Sequence, residues 1–232
     1  MRSFRLIALP IAAVLPLTVV ATAGTAVAAP ASHRALPTDC DSLKPTADPA
    51  VYYCGLPELG PTKLPTGEVG KLLTNYHRFG GLEPAQFLSL YRNGTSWIYP
   101  GNNGFAESEG KIDMQKQQTV VNKYLDRFGG EGGGYLAPGG TPYAQRAIPT
   151  DSLNDAATKY HCYQVTKSFP VQQGHIAAFF NQPGYGIQQW LDPALKPTDF
   201  GADSYNVAGL IKHNYLKPIT DVSKCVNNKG AV

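Results

Sequence analysis

Cysteine is scarce in this chain. Its four cysteines, Cys40, Cys54, Cys162 and Cys225, include no C-x-x-C pair and no close Cys/His spacing, which argues against a zinc site. A surplus of positive charge is missing as well. Once Arg2 and Arg5 of an N-terminal leader are set aside, 18 basic residues face 17 acidic ones, so the basic face of a nucleic-acid binder is not there. Beyond that leader no stretch is long and apolar enough to span a bilayer. Asp192, Asp199, Asp203 and Asp221 have no EF-hand spacing, and Ser152 sits in no nucleophile elbow. The sequence also lacks repeats and low-complexity segments. What is left is a globular domain acting on, or binding, something other than nucleic acid or lipid.

The leader reads as a secretory signal peptide: Arg2 and Arg5, an apolar run from Leu6 to about Val20, then Ala26-Val27-Ala28 as the cleavage site. Pro10 and Pro16 interrupt the run and argue against an anchor. Residues 1–28 are therefore expected to be removed and the protein exported, to the medium or the cell surface. In that oxidising setting the four cysteines pair. Of the three pairings the sequence allows, Cys40 with Cys54 and Cys162 with Cys225 are favoured, each contributing about 2–4 kcal/mol. A hydrophobic content of 43% excludes wholesale disorder, while 24 glycines and 19 prolines announce many turns.

Residues 29 to about 62 are Pro-rich and read as an extended arm tied by a disulfide. A weak helix is expected over Thr66–Tyr76, with Thr66 as N-cap, and a firmer one from Pro84 to about Arg92. Ser96–Tyr99 reads as a short strand, ended by Pro100-Gly101-Asn102-Asn103-Gly104. Asn93-Gly94-Thr95 is a glycosylation sequon, meaningful in a eukaryotic host. Gln117–Leu125 fits either helix or strand. Tyr160–Lys167 alternates as a strand, Ile187–Leu191 follows as another, and Tyr205–Tyr215 holds a short helix. Short strands with a few helices in irregular order predict an α+β domain. Its sheet is expected to be small, twisted and mainly antiparallel, carrying an N-terminal disulfide-tied extension.

The most unusual stretch is Asp126–Pro149, DRFGGEGGGYLAPGGTPYAQRAIP. It is too rich in glycine for a helix, yet aromatic residues and two arginines, Arg127 and Arg146, punctuate it too regularly for a linker. The backbone is expected to bend tightly around something to which the guanidinium groups are presented. Gly132, Gly134 and Ala137 satisfy a G-x-G-x-x-A dinucleotide fingerprint. Pro138-Gly139-Gly140-Thr141-Pro142 follows, however, and cannot open the helix that such a fingerprint requires.

Five blocks come in the order and rough spacing of the tuberculosis necrotizing toxin family. They are DRFG at Asp126–Gly129, the segment Gly133–Pro149, SLN at Ser152–Asn154, YHCYQVTKSFPV at Tyr160–Val171 and QPGYGIQQ at Gln182–Gln189. The resemblance covers residues 97 to 225, and His77–Phe105 looks like the stand-alone secreted members. With the leader at 1–28, this divides the chain into an extension at 29–95, a toxin-like catalytic domain at 96–225 and a tail at 226–232. The resemblance implies hydrolysis of NAD+, and in relatives NADP+, to nicotinamide and ADP-ribose.

The departing group is neutral nicotinamide, so no general acid is needed; the demands are to hold a pyrophosphate, stabilise an oxocarbenium-like transition state and admit water. Arg127 and Arg146 suit the pyrophosphate, and the resemblance places both at the site. Phe128 and Tyr135 are candidates for stacking on nicotinamide or adenine, with Gly129 and Gly184 allowing close approach. The resemblance puts the family's functional glutamine in the Gly184-Tyr185-Gly186 turn region; strand alternation lets only one of Gln188 and Gln189 face the pocket, and the spacing from Gly184 favours Gln188 for the bond-breaking step. His161 matches a functional histidine of the family, whereas Glu131 is assigned no role.

No cofactor is expected, NAD+ and NADP+ being substrates, and nothing predicts the structural calcium of some fungal relatives. A homodimer is compatible with the sequence, which is silent on an immunity protein. Two other readings stand beside this one: an ADP-ribosyltransferase, and an inactive surface-binding module of the same fold.

Overall fold

The sheet of this protein has to curl, and one short connection shows why. In the computed structural model, which describes residues 40–228, seven antiparallel strands lie in the order β11-β8-β6-β7-β10-β9-β5. They are β5 (Gln115–Gln118), β6 (Tyr124–Phe128), β7 (Tyr135–Pro138), β8 (Tyr160–Val165), β9 (Pro170–His175), β10 (Ile187–Trp190) and β11 (Leu216–Ile219). Two small hairpins precede them, β1 (Arg92–Asn93) with β2 (Ser96–Trp97) and β3 (Glu107–Ser108) with β4 (Lys111–Ile112). Four inter-strand spacings separate β8 from β9, roughly 19 Å across a flat sheet. The linker Thr166–Phe169 reaches only about 17 Å when fully stretched.

The bend falls at β7. Its first half, Tyr135 and Leu136, pairs with β10, and its second half, Ala137 and Pro138, pairs with β6. Because each partner strand holds only half of β7, the sheet opens into a cleft at that corner.

Alternation distributes the side chains between two cores. Leu125 faces Tyr163 across β6 and β8 in one core, which Phe200, Tyr205, Val207 and Leu210 cover from the C-terminal segment containing α5 (Val207–Lys212). Phe128 faces Tyr160 in the other, closed by Leu72, Tyr76, Tyr143 and Val226. The latter come from α1 (Gly67–Lys71) and the turns after it, α3 (Tyr143–Arg146) and α6 (Ser223–Val226). The Cys162–Cys225 disulfide ties β8 to α6, and Cys40–Cys54 ties the N-terminal arm, with Cα separations of 5.8 and 5.3 Å. α4 (Ala156–Lys159) leads into β8.

The extension is part of this packing rather than an appendage. Helix α2 (Pro84–Tyr91) starts on Pro84, with the Gln86 side chain accepting the Glu83 amide at 3.1 Å. It brings Phe87 and Tyr91 against Phe180, which Trp97 and Tyr99 also touch. Phe180 has a φ of 51° and is 1% exposed. A left-handed aromatic residue costs about 1–2 kcal/mol, and the surrounding aromatic cage holds it there. Packing thus runs across the 95/96 boundary, and the described residues form one compact unit.

Several elements are shorter than their sequence expectations. α1 stops at Lys71 because its glycines, Gly67 and Gly70, weaken it and the chain turns through Asn75 at φ 62°. The Thr66 hydroxyl makes no capping bond. β2 ends at Trp97 instead of Tyr99. The ambiguous Gln117–Leu125 straddles two strands, ending β5 and opening β6 around the exposed Val120 and Val121. The glycine-rich stretch does hold one helical turn, α3. The signal peptide lies outside the described residues. Among the described residues no helix is long and apolar enough to cross a membrane.

Candidate active site

The cleft at the β7 corner encloses about 690 Å3, within the size range of small-molecule sites. Its floor is Asp126, Arg127 and Phe128 of β6 with Tyr135, Leu136 and Ala137 of β7. Arg146 to Pro149 and Ser152 form one side, Tyr99 to Gly104 the other, and Gln188 and Ile176 close it.

Arg127 shows what the glycines bend around. Its Nε donates to the carbonyl of Gly130 at 2.7 Å and an η1 nitrogen donates to the carbonyl of Tyr135 at 2.8 Å. A Cβ on Gly133 would lie 1.9 Å from the η2 nitrogen, so only glycine lets the loop close over the guanidinium. Of the five N–H donors of an arginine, two are taken, leaving three with no partner among the described residues. Burial pushes the Arg127 pKa down, with Tyr163 opposing. No carboxylate lies within ion-pair distance of it among the described residues.

Arg146 is held differently. It is 6% exposed, and its η2 nitrogen lies 2.7 Å from Oδ1 of the fully buried Asp126. Its Nε and η2 both donate to the carbonyl of Thr141, at 3.0 and 2.8 Å. The guanidinium lies 5.2 Å from the centroid of the Phe128 ring. Asp126 also accepts from the Tyr160 hydroxyl at 2.7 Å and the Gly140 amide at 3.2 Å. Burial pushes this carboxyl above its ordinary value, and Arg146, Tyr160 and Gly140 pull the other way. Both arginines thus line the cleft, and the charge of Arg146 is balanced internally by Asp126.

Tyr135 stands half out of the cleft, its ring stacked on Trp190 at 6.5 Å and 18°. Burial raises its hydroxyl pKa. Phe128 combines the two roles weighed for it, lining the cleft while packed against Tyr143 and Tyr160. Gln188 lines the cleft and donates from Nε2 to the carbonyl of Asn103 at 3.0 Å. Gln189 points away, its Nε2 donating to Gln173 at 2.8 Å, as alternation along β10 requires.

Three expected residues lie outside the lining. His161, cross-strand partner of Arg127, stacks near Tyr163 with its Nδ1 3.9 Å from Glu131 Oε1. Glu131 in turn accepts from the Tyr163 hydroxyl at 3.1 Å. Gly129, at φ 96°, shapes the loop around Arg127. Gly184, at φ 66°, lets the turn before β10 pack on Ala177, where a Cβ would meet a carbonyl oxygen at 2.7 Å. The sequon residue Asn93 is exposed in the β1–β2 hairpin, far from any of these contacts in sequence. Sequence reasoning missed Tyr99, Asn103 and Trp190. Asn103 sits in the Pro-Gly-Asn-Asn-Gly break and Tyr99 just before it, and the break carries no signal beyond a turn.

Among the described residues, this concave, partly aromatic site carries one arginine without an ion-pair partner and a neutral amide, a lining suited to a small anionic ligand with a flat ring. Comparison with known proteins places it further. The sequence profile of the tuberculosis necrotizing toxin family matches residues 120–219. A conidial surface nicotinamide adenine dinucleotide glycohydrolase, nadA, of Aspergillus fumigatus is 39% identical over 199 residues, spanning 81% of this chain and 79% of that protein. The chain belongs to the tuberculosis necrotizing toxin family. The solved tuberculosis necrotizing toxin, in complex with its immunity factor, is 21% identical with a TM-score of 0.42, over 74% of this chain and 83% of that one.

Proposed function

We propose that this protein is an NAD+ glycohydrolase of the cell surface or extracellular medium, and that NADP+ is a second substrate. The observation that carries the reading is the convergence of Arg127, with three open donors, and Gln188 on one cleft beside the Tyr135–Trp190 stack. The chain's similarity to a surface NAD glycohydrolase supports the same substrate.

In this reading Arg127 holds the pyrophosphate by charge-assisted hydrogen bonds. Arg146 and Asp126 fix the wall that carries Phe128, and Tyr135 with Trp190 offers a face to an aromatic ring. The bond from the ribose anomeric carbon to the nicotinamide ring nitrogen breaks with its electron pair going to that nitrogen, which turns a cation into neutral nicotinamide. Water bonds to the anomeric carbon and its proton passes to solvent, giving ADP-ribose. Gln188 touches the reacting centre, and His161 supports Arg127 from the neighbouring strand. The leader at 1–28 directs export, and a homodimer is compatible with this arrangement.

The test incubates the purified, oxidised protein with NAD+ and follows products by chromatography. Nicotinamide and ADP-ribose in equal amounts are expected, with Gln188→Ala slower by about a hundredfold. Label retained on protein would point to an ADP-ribosyltransferase. NAD+ bound but unconsumed would point to an inactive surface module.

A further inference from the structure

Three successive residues of the cleft wall, Asn102, Asn103 and Gly104, have left-handed backbones with φ of 55°, 53° and 81°. Such a run is held only where other contacts impose it. Here the Gly104 amide donates to Gly101 at 3.0 Å, and the Gly104 carbonyl accepts from Ala177 at 2.9 Å. Phe105 bridges to Ile176 next door. The turn is thereby pinned to the end of β9, beside β10. Its Asn103 carbonyl is what Gln188 Nε2 meets at 3.0 Å.

A carbonyl oxygen accepts and cannot donate, so this contact admits the amide in one orientation only. Gln188 Oε1 is left with no hydrogen-bond partner among the described residues, and unlike Gln189 Oε1 it is not a buried orphan. We propose that the Asn102–Gly104 turn is a positioning element whose Asn103 carbonyl fixes the Gln188 amide with its oxygen facing the cleft. This rests on the NAD+ glycohydrolase reading and sharpens it. An acceptor oxygen directs its negative end at the cationic sugar and takes a hydrogen bond from the ribose hydroxyl or the incoming water. The reverse orientation would aim N–H groups at a developing cation.

Two variants and one spectroscopic readout test this, with wild-type turnover in the same assay deciding the parent reading separately. Gln188→Glu places a carboxylate oxygen against the Asn103 carbonyl, a contact that is favourable only when the acid is protonated and can donate. Its kcat relative to wild type is expected to climb by about tenfold as the pH falls from about 8 to about 5.5. A flat ratio, or wild-type kcat at about pH 8, overturns the proposal.

Gly104→Ala strains a residue at φ 81° and brings a methyl group within 3.5 Å of the Gln188 amide. It is expected to lower kcat about tenfold with KM for NAD+ moved by less than about twofold. A raised KM with kcat kept overturns it. In wild type, the Gln188 side-chain amide protons, assigned by their loss in Gln188→Glu, are expected to exchange slowly with solvent. Fast exchange overturns the assignment whatever the turnover.

Discussion

The two ends of the glycine-rich stretch carry the same residue type to the same cleft and use it in opposite ways. At one end Arg127 is wrapped by main chain: carbonyls of Gly130 and Tyr135 orient it, Gly133 backs it, and among the described residues no carboxylate balances its charge. At the other end Arg146 faces Asp126 at 2.7 Å, donates to the Thr141 carbonyl from Nε and η2 and is 6% exposed. A guanidinium oriented by neutral carbonyls keeps its field for a ligand, whereas one paired with a buried carboxylate stiffens the fold. The difference lies in the partners, not in the arginines.

Breaking the pair should therefore damage the fold, and breaking the loop should damage the chemistry. The largest effect is expected for Arg146→Ala, which leaves the Asp126 carboxyl buried without its cation and should cost about 3–5 kcal/mol in chemical denaturation. The double variant Asp126→Asn with Arg146→Met should recover at least half of that, since an apolar replacement removes both charges together. No recovery would mean that Arg146 stabilises through something other than the pair.

Arg127→Ala is expected to be next, lowering kcat/KM for NAD+ by about a hundredfold, or about 2.7 kcal/mol, with a denaturation midpoint close to wild type. Equal kinetic losses for Arg127→Ala and for a folded Arg146 variant would erase the contrast. Trp190→Ala, which removes the platform beneath Tyr135, should cost about 1 kcal/mol of substrate binding, seen as a KM several-fold higher.

The smallest effect is a pH dependence of stability. Burial raises the Asp126 pKa in the folded protein, so between its unfolded value of about 3.9 and that raised value the folded state binds more protons than the unfolded one. Its contribution is complete below about pH 3.9 and declines as the pH rises through the folded pKa. The stability of wild type relative to the Asp126→Asn, Arg146→Met double variant should therefore fall as pH rises from about 4. A rising difference would show the carboxyl to be depressed instead.

Much of the sheet could be read from alternation. Tyr160–Val165 and Ile187–Trp190 lie where their patterns put them, and α2 starts on Pro84 as its position in the sequence suggests. Gln117–Leu125 could not be resolved, because its apolar residues Val120 and Val121 occupy an exposed turn, where neither period applies. Alternation also allowed only one of Gln188 and Gln189 into the cleft, and the spacing from Gly184 pointed to Gln188, which lines it while Gln189 donates to Gln173.

Pairing across distance was the part that stayed hidden. Asp126 and Arg146 lie 20 positions apart, and nothing local announces that a strand and a one-turn helix bring them together. The glycines announced a tight bend but not that it closes on the neighbouring arginine. The Asn103 carbonyl escaped notice for a further reason: it acts through main chain, which side-chain chemistry does not reveal.

The contrast between the arginines is tested most directly by isothermal titration of ADP-ribose into wild type and Arg127→Ala, both checked for folding by thermal melting. One-to-one binding by wild type is expected, with affinity about a hundredfold weaker in the variant and an intact melting transition. Equal affinities in two folded proteins would contradict it, and would mean that the free guanidinium of the glycine loop is not what holds the ligand.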